Sequence, residues 1–226
     1  MAQVMSTLPP SYIVGIGGSA GSLNAYKALL ESLPSNTGMV FVVVSHIHPA
    51  ANSQLAEILS RHTKMPVLLA FTAMPIRANH VYVMPANTDL YIENHAFKVV
   101  SPRSRGNTQI DLFFISLAEA KGALAIGIVL SGYDGDGTEG SKSIKARGGT
   151  TFAQDMSAEV GEMSSSAQAS GYIDFVLPPE KMAEALARLG ARFVQDGRQG
   201  TTGQENSLAK KQKGTRKGPG SNKSEQ

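Results

Sequence analysis

Two rhythms of apolar and polar positions alternate along the chain. Short apolar runs, several rich in β-branched residues, recur at Tyr12–Gly17, Met39–Ser45 (MVFVVVS), Pro66–Ala70, His80–Pro85, Asp89–Glu93, Phe97–Val100, Ala125–Leu130 (AIGIVL), Thr150–Gln154 and Asp174–Leu177. They read as strands. Between them apolar residues return every three or four positions, as in Leu23, Tyr26, Leu29, Leu30 and Leu33, which predicts a helix over Leu23–Leu33. Further helices are expected over Ser53–His62, Ile110–Lys121, Thr138–Arg147, Ser164–Ser170 and Glu180–Leu189. Strands that are apolar throughout are covered on both faces. Their alternation with helices predicts an α/β fold, a doubly wound, mainly parallel sheet with helices on both faces. The runs at His80–Pro85, Asp89–Glu93 and Phe97–Val100 crowd around Pro and Asn turns, so a local antiparallel hairpin is expected there.

Composition narrows the class. The chain has 226 residues, 42% of them hydrophobic, enough to bury a sizeable core. It has no cysteine, which excludes disulfides, thiolate nucleophiles and thiolate metal sites. No apolar run approaches the ~20 residues of a membrane-spanning helix, and MAQVMSTLPP lacks the pattern of a signal peptide. The expectation is a cytoplasmic protein without membrane insertion. Its net charge of +3 is unevenly placed. From Gly197 onward seven basic residues stand against Glu205 and Glu225, a net of +5, so residues 1–196 carry −2. The body therefore has no nucleic-acid footprint. The stretch 197–226 has almost no apolar residues and is expected to be a disordered basic tail behind one domain at 11–190.

Candidate chemistry begins at GIGGSAGS, residues 15–22, where the first strand gives way to the first helix. Gly15, Gly17 and Ala20 satisfy the permissive G-x-G-x-x-[GA] dinucleotide pattern. That fingerprint also needs an acidic residue at the end of the second strand, and this strand ends Val44-Ser45-His46. The dinucleotide reading therefore fails, and no cofactor is expected. The same stretch reads Gly17-Gly18-Ser19-Ala20-Gly21, a serine on a sharp strand-to-helix turn among small residues, suited to a nucleophile. Two other strands end on its partners. MVFVVVS runs into His46, and AIGIVL runs into SGYDGDGTEG with Asp134 and Asp136. In an open α/β sheet such strand ends line one crevice, so Ser19, His46 and one of the aspartates form a candidate nucleophile, base and orienting acid. A metal pair at His46 and His48 lacks further ligands, and no metal site is expected. The D-G-D-G run lacks the Gly and the Glu of a calcium loop, having Glu139 and Lys145 at those positions.

Taken together, VGIGGSAG, VVVSHIHP, HVYVMP, IDLFFISLA, IVLSGYDGDGTEG and GYIDFVLPPE resemble the catalytic domain of the CheB-type protein-glutamate methylesterases of bacterial chemotaxis, over about residues 11–190. The resemblance implies a nucleophilic Ser19, a basic His46, an orienting Asp136, and backbone N–H groups of His46 and Tyr133 as oxyanion donors. It also implies hydrolysis of glutamyl methyl esters, with glutamine deamidation by the same parts, on a methylated chemoreceptor-like helical protein. A separate receiver or methyltransferase protein is an expected partner, because the family's usual N-terminal receiver domain is not found in this sequence. Four positions depart from the family pattern. Ser22 replaces a glycine, Ser45 a glutamine, and Met163-Ser164-Ser165 stands where Met-Pro-Arg is usual. Ser45, Met163 and Ser164 are accordingly expected on the substrate rim. These changes motivate a second reading, a regulatory or scaffolding module that kept the fold with weak turnover.

Overall fold

The structure is a computed structural model that describes residues 11–46, 54–104, 106–191 and 193. Most of the sequence-predicted helix at Ser53–His62 falls within them; His48 and the expected tail at 197–226 lie outside. The chain divides after Gly190, and all elements below are given for the unit that ends there.

Among the described residues nine strands and the helices between them follow in the order β1 (Ile13–Gly18), α1 (Ser22–Ser32), β2 (Val40–Ser45), α2 (Leu55–Ser60), β3 (Val67–Leu69), β4 (His80–Val83), β5 (Asp89–Glu93), β6 (Ala96–Val100), α3 (Gln109–Lys121), β7 (Ala125–Val129), α4 (Thr138–Ala146), β8 (Thr150–Gln154), α5 (Glu162–Ala169) and β9 (Phe175–Leu177). A last helix, α6, begins at residue 179. Seven strands form one wholly parallel sheet in the order β3-β4-β2-β1-β7-β8-β9. β5 and β6 form a separate antiparallel pair. The expected hairpin is therefore smaller than the sequence suggested. HVYVMP belongs to the main sheet as β4, where Val81 and Val83 face one layer and Tyr82 the other.

Alternation along each strand divides the core in two. On one face Val14, Ile16, Phe41, Val43, Val81, Ile126 and Ile128 pack against α1, α2 and α6. On the other, Val40, Val42, Val44, Tyr82 and Val129 meet α3, α4, α5 and the β5–β6 pair. Burying such β-branched strands on both sides removes ~1.5–3 kcal/mol of apolar exposure per large side chain. Helix α3 lies close on β1 because Gly15 and Gly17 carry no side chain. A Cβ on Gly17 would stand 2.4 Å from Ile110 Cγ2, and one on Gly15 2.7 Å from Phe114. Since β1 is flanked by β2 on one side and β7 on the other, the chain reverses its winding here. That places a crevice at the carboxyl ends of β1, β2 and β7.

Candidate active site

β1 and β2 pair up to Gly18 opposite Ser45. The next residue on each strand, Ser19 and His46, therefore leaves the sheet edge side by side, about one strand spacing (~4.8 Å) apart. β7 flanks β1 on its other side, and the loop after it carries Tyr133, Asp134 and Asp136.

The turn at Ser19 is held from both sides. Ser22 N–H and Ser22 Oγ both donate to the Ser19 carbonyl, at 3.2 and 2.6 Å. Ser19 N–H donates to the Ser131 carbonyl at 2.9 Å, while Ser131 Oγ donates to the Ala20 carbonyl at 2.8 Å. Helix α1 starts only after Gly21, whose φ of 71° is left-handed backbone that glycine adopts without strain. Gly21, not Ser19, is thus the N-cap, and no side chain caps the helix. Ser19 is half-buried, and its Oγ makes no hydrogen bond among the described residues.

The His46 side chain is only 5% exposed and sits between the two aspartates. Its Nε2 lies 2.6 Å from Oδ2 of Asp136, whose side chain is fully buried. Its Nδ1 is buried without a hydrogen-bond partner among the described residues, and Asp134 Oδ2 stands 4.0 Å away, beyond hydrogen-bond reach. Asp136 is further fixed by three backbone N–H groups, those of Ile110 (2.9 Å), Asp111 (2.8 Å) and Gly137 (2.9 Å). Asp134 serves the turn instead. It is left-handed, with φ 65°, accepts from the Asp136 N–H, and meets Asn107 Nδ2 at 3.1 Å. Of the two candidate orienting acids, Asp136 touches the imidazole and Asp134 does not.

Comparison with known proteins gives this arrangement a family. Residues 14–186 match the family model described as CheB methylesterase. The chain belongs to the CheB methylesterase family. A Leptospira interrogans protein, provisionally named a protein-glutamate methylesterase/protein-glutamine glutaminase, is 34% identical over 178 residues, which cover 77% of this chain and 92% of that one. A Hydrogenovibrio crunogenus protein of the same name is 30% identical over 80% of this chain, which spans only 50% of its length. The crystal structure of the Thermotoga maritima CheB methylesterase catalytic domain superposes with a TM-score of 0.73 at 29% identity, covering 79% of this chain and 98% of that one.

Within this CheB methylesterase domain, two groups of expected site residues sit differently from the sequence reading. His46 N–H, expected as an oxyanion donor, reaches the Gly18 carbonyl at 3.4 Å, a long bond that extends the β1–β2 ladder. The N–H of Tyr133, a residue 56% exposed, has no acceptor among the described residues. Ser45, Met163 and Ser164, expected on the rim, are all buried. Ser45 closes the wholly buried strand β2, and Met163 and Ser164 lie on the inward face of α5. Helix α5 starts at Glu162, two residues before the predicted start, and Met163, Ser164 and Ala167 face inward while Ser165 and Ser166 are exposed. Met163 lies under the site, since a Cβ on Gly132 would stand 2.7 Å from its Cε and 3.0 Å from Ser19 Cβ.

Three supporting residues escaped the sequence reading. Ser131, fully buried, ties the Ser19 turn to the segment at Val160, whose N–H donates to Ser131 Oγ at 2.9 Å. Tyr26 lies beneath Gly18, where a Cβ would stand 2.6 Å from the tyrosine hydroxyl. Burial pushes that hydroxyl up to about 12, against the lowering effect of Ser22 and Ser45 beside it, and it closes no well-formed hydrogen bond. Asp111, in the first turn of α3, accepts from Gly137 and Gly140 N–H at 2.9 and 2.7 Å. Burial, joined by the charge of Asp136, pushes its carboxyl up to about 6, the Gly140 and Gly137 N–H groups opposing. Asp111 lies within the IDLFFISLA segment, where the only signal was a polar residue at a helix start. Among the described residues no three His, Asp or Glu side chains gather as a metal site would require.

Proposed function

We propose that the protein hydrolyses glutamyl methyl esters on a chemoreceptor-like helical protein, with Ser19 as nucleophile, His46 as base and Asp136 as the acid that orients it. Membership of the CheB methylesterase family supports the reaction class. The observation that carries the residue assignment is the 2.6 Å bond between His46 Nε2 and the buried Asp136 carboxylate. It fixes the tautomer, because a carboxylate only accepts and so holds the proton on Nε2. The nitrogen left to act as base is Nδ1, which has no hydrogen-bond partner among the described residues.

In the acylation step Ser19 Oγ attacks the ester carbonyl while Nδ1 takes its proton. The imidazolium is stabilised by Asp136 and returns a proton to the departing methoxide, releasing methanol. Water then attacks the glutamyl-serine ester with Nδ1 again as base, which frees the glutamate side chain and restores Ser19. A glutamine side chain enters the same sequence with ammonia as the leaving group. The Tyr133 N–H is the donor available to the tetrahedral oxyanion.

A serine-directed phosphonate reagent tests the nucleophile. Wild type should take up one phosphonyl group per chain, mapped to the peptide containing Ser19, and Ser19→Ala none. His46→Gln should label at least about a hundredfold more slowly, since a hydroxyl without its base is a poor nucleophile. Labelling at another serine, or equal labelling of wild type and Ser19→Ala, would overturn the assignment.

A further inference from the structure

The mechanism leaves the half-buried carboxylate of Asp111 without a role. Helices α3 and α4 each lack a side-chain cap at their own N-cap position, Thr108 and Gly137. Each is capped instead by an aspartate from the other. Asp136, just before α4, accepts from the Ile110 and Asp111 N–H groups of α3, and Asp111 of α3 accepts from the Gly137 and Gly140 N–H groups of α4. The two carboxylates also converge on one donor. The Gly137 nitrogen is 2.9 Å from Asp111 Oδ1 and 2.9 Å from Asp136 Oδ1. One hydrogen cannot satisfy two charged oxygens brought against each other, and two ionised carboxylates so placed repel.

The neighbourhood offers little compensation. On the α4 side stand Asp134 and Glu139, the latter paired with Lys142, while Lys145 is paired with Asp174. At the end of β2 stands His46, bonded to Asp136. On β5, Asp89 is bound to the Ser104 N–H and the Gln109 side-chain amide, whose oxygen meets Arg103 at 3.5 Å. β1 and β7 carry no charged residue. Among the described residues no lysine or arginine pairs with either carboxylate. Two acids and one imidazole therefore share this corner.

We infer that Asp111, set against Asp136 across one shared N–H, is a positioning residue of the active site that keeps its carboxyl proton at mildly acidic pH and must lose it before Asp136 turns its full charge on His46. While protonated, Asp111 donates to Asp136 Oδ1 and draws charge away from the oxygen that faces Nε2. As pH rises the proton leaves to solvent and the Asp136–His46 bond strengthens. The upward displacement of the Asp111 carboxyl, caused by burial and then by Asp136, runs in the same direction.

The kinetic part of this inference rests on the triad reading, so the experiment has two arms. In the first, log(kcat/KM) for a glutamyl methyl ester substrate is followed against pH for wild type and Asp111→Asn, whose amide keeps the caps and donates permanently to Asp136. The acid limb of wild type should steepen beyond one proton towards two, and that of Asp111→Asn should stay at one. In the second, carbon-13 NMR follows the aspartate carboxyls of the full-length protein, with no variant needed for the titration itself. The Asp111 carboxyl should titrate near pH 6, and in Asp136→Asn it should fall towards the ordinary carboxylate range. A titration near 6 in a protein that releases no methanol would support the pair and sink the esterase reading. Superimposable one-proton limbs, or no aspartate titrating above about 5, would overturn the inference.

Discussion

His46 meets its two aspartates at opposite nitrogens, one at 2.6 Å and the other at 4.0 Å, so substitutions at the two acids should differ in kind. Asp136→Asn removes the acceptor that fixes the tautomer and should lower kcat by roughly 10³–10⁴-fold with folding retained. Asp134→Asn leaves the imidazole contact and should cost less than about tenfold, mainly through the turn; steady-state kinetics on the ester separate the two. Beneath the turn, Tyr26 keeps a buried hydroxyl with no well-formed bond. Tyr26→Phe should therefore leave stability unchanged or raise it by about 1 kcal/mol in denaturant unfolding. The ionisable residues also carry opposite pH signatures. The Asp111 carboxyl is raised in the fold, so its contribution to stability is present at low pH and declines as pH rises from the ordinary carboxylate range to about 6. At Asp174 burial is outweighed by Lys145 and Thr151, and the carboxyl is lowered, so its contribution is present at neutral pH and is lost as pH falls below the ordinary carboxylate range. Unfolding midpoints between pH 3 and 7 for Asp111→Asn and Asp174→Asn should change slope in opposite senses. Ser19, His46 and both aspartates were legible in the chain because each stands at the end of an apolar run. Asp111 was not, since its role depends on the arrival of Gly137 and Gly140 from a helix N-terminus 26 and 29 residues away.

At the scale of elements, the site is built where α3 presses on β1. Ile110 both packs over Gly17 and sends its N–H to Asp136, so the packing distance and the orientation of the acid are linked. Gly17→Ala places a methyl group 2.4 Å from Ile110 Cγ2 and must displace α3. It should cost ~1–3 kcal/mol in denaturant unfolding and lower kcat more than KM. Gly171→Ala meets open space but a left-handed φ of 77°, so it should lower stability through local strain while leaving kcat unchanged. The strands were readable from their apolar runs, but partners were not. HVYVMP lies among the Pro and Asn turns that suggested a hairpin, whereas Val81 and Val83 are claimed by the α1–α2 layer and Tyr82 by the opposite one. Helix α5 began two residues earlier than its pattern implied, and Met163, Ser164 and Ala167 form its inward face, which sequence alone did not assign.

For the molecule as a whole, the sheet supplies a rigid edge and the reaction belongs to the loops upon it. Both apolar layers cover the inner strands of the sheet, and the three proposed catalytic residues stand at the edge where its winding reverses. The chain spans nearly all of its Leptospira interrogans relative and half of the Hydrogenovibrio crunogenus one, so the catalytic fold is the part they have in common. No helix among the described residues is long and apolar enough to cross a membrane. The most direct test is release of methanol from a receptor carrying radiolabelled methyl esters, measured side by side for wild type, Ser19→Ala, His46→Gln and the double variant. Wild type should release label at a rate proportional to enzyme, and Ser19→Ala should stay at background. His46→Gln should lose nearly as much, and the double variant little more than either, because the two residues act in one step. Equal release by wild type and Ser19→Ala across several methylated receptors would contradict the account.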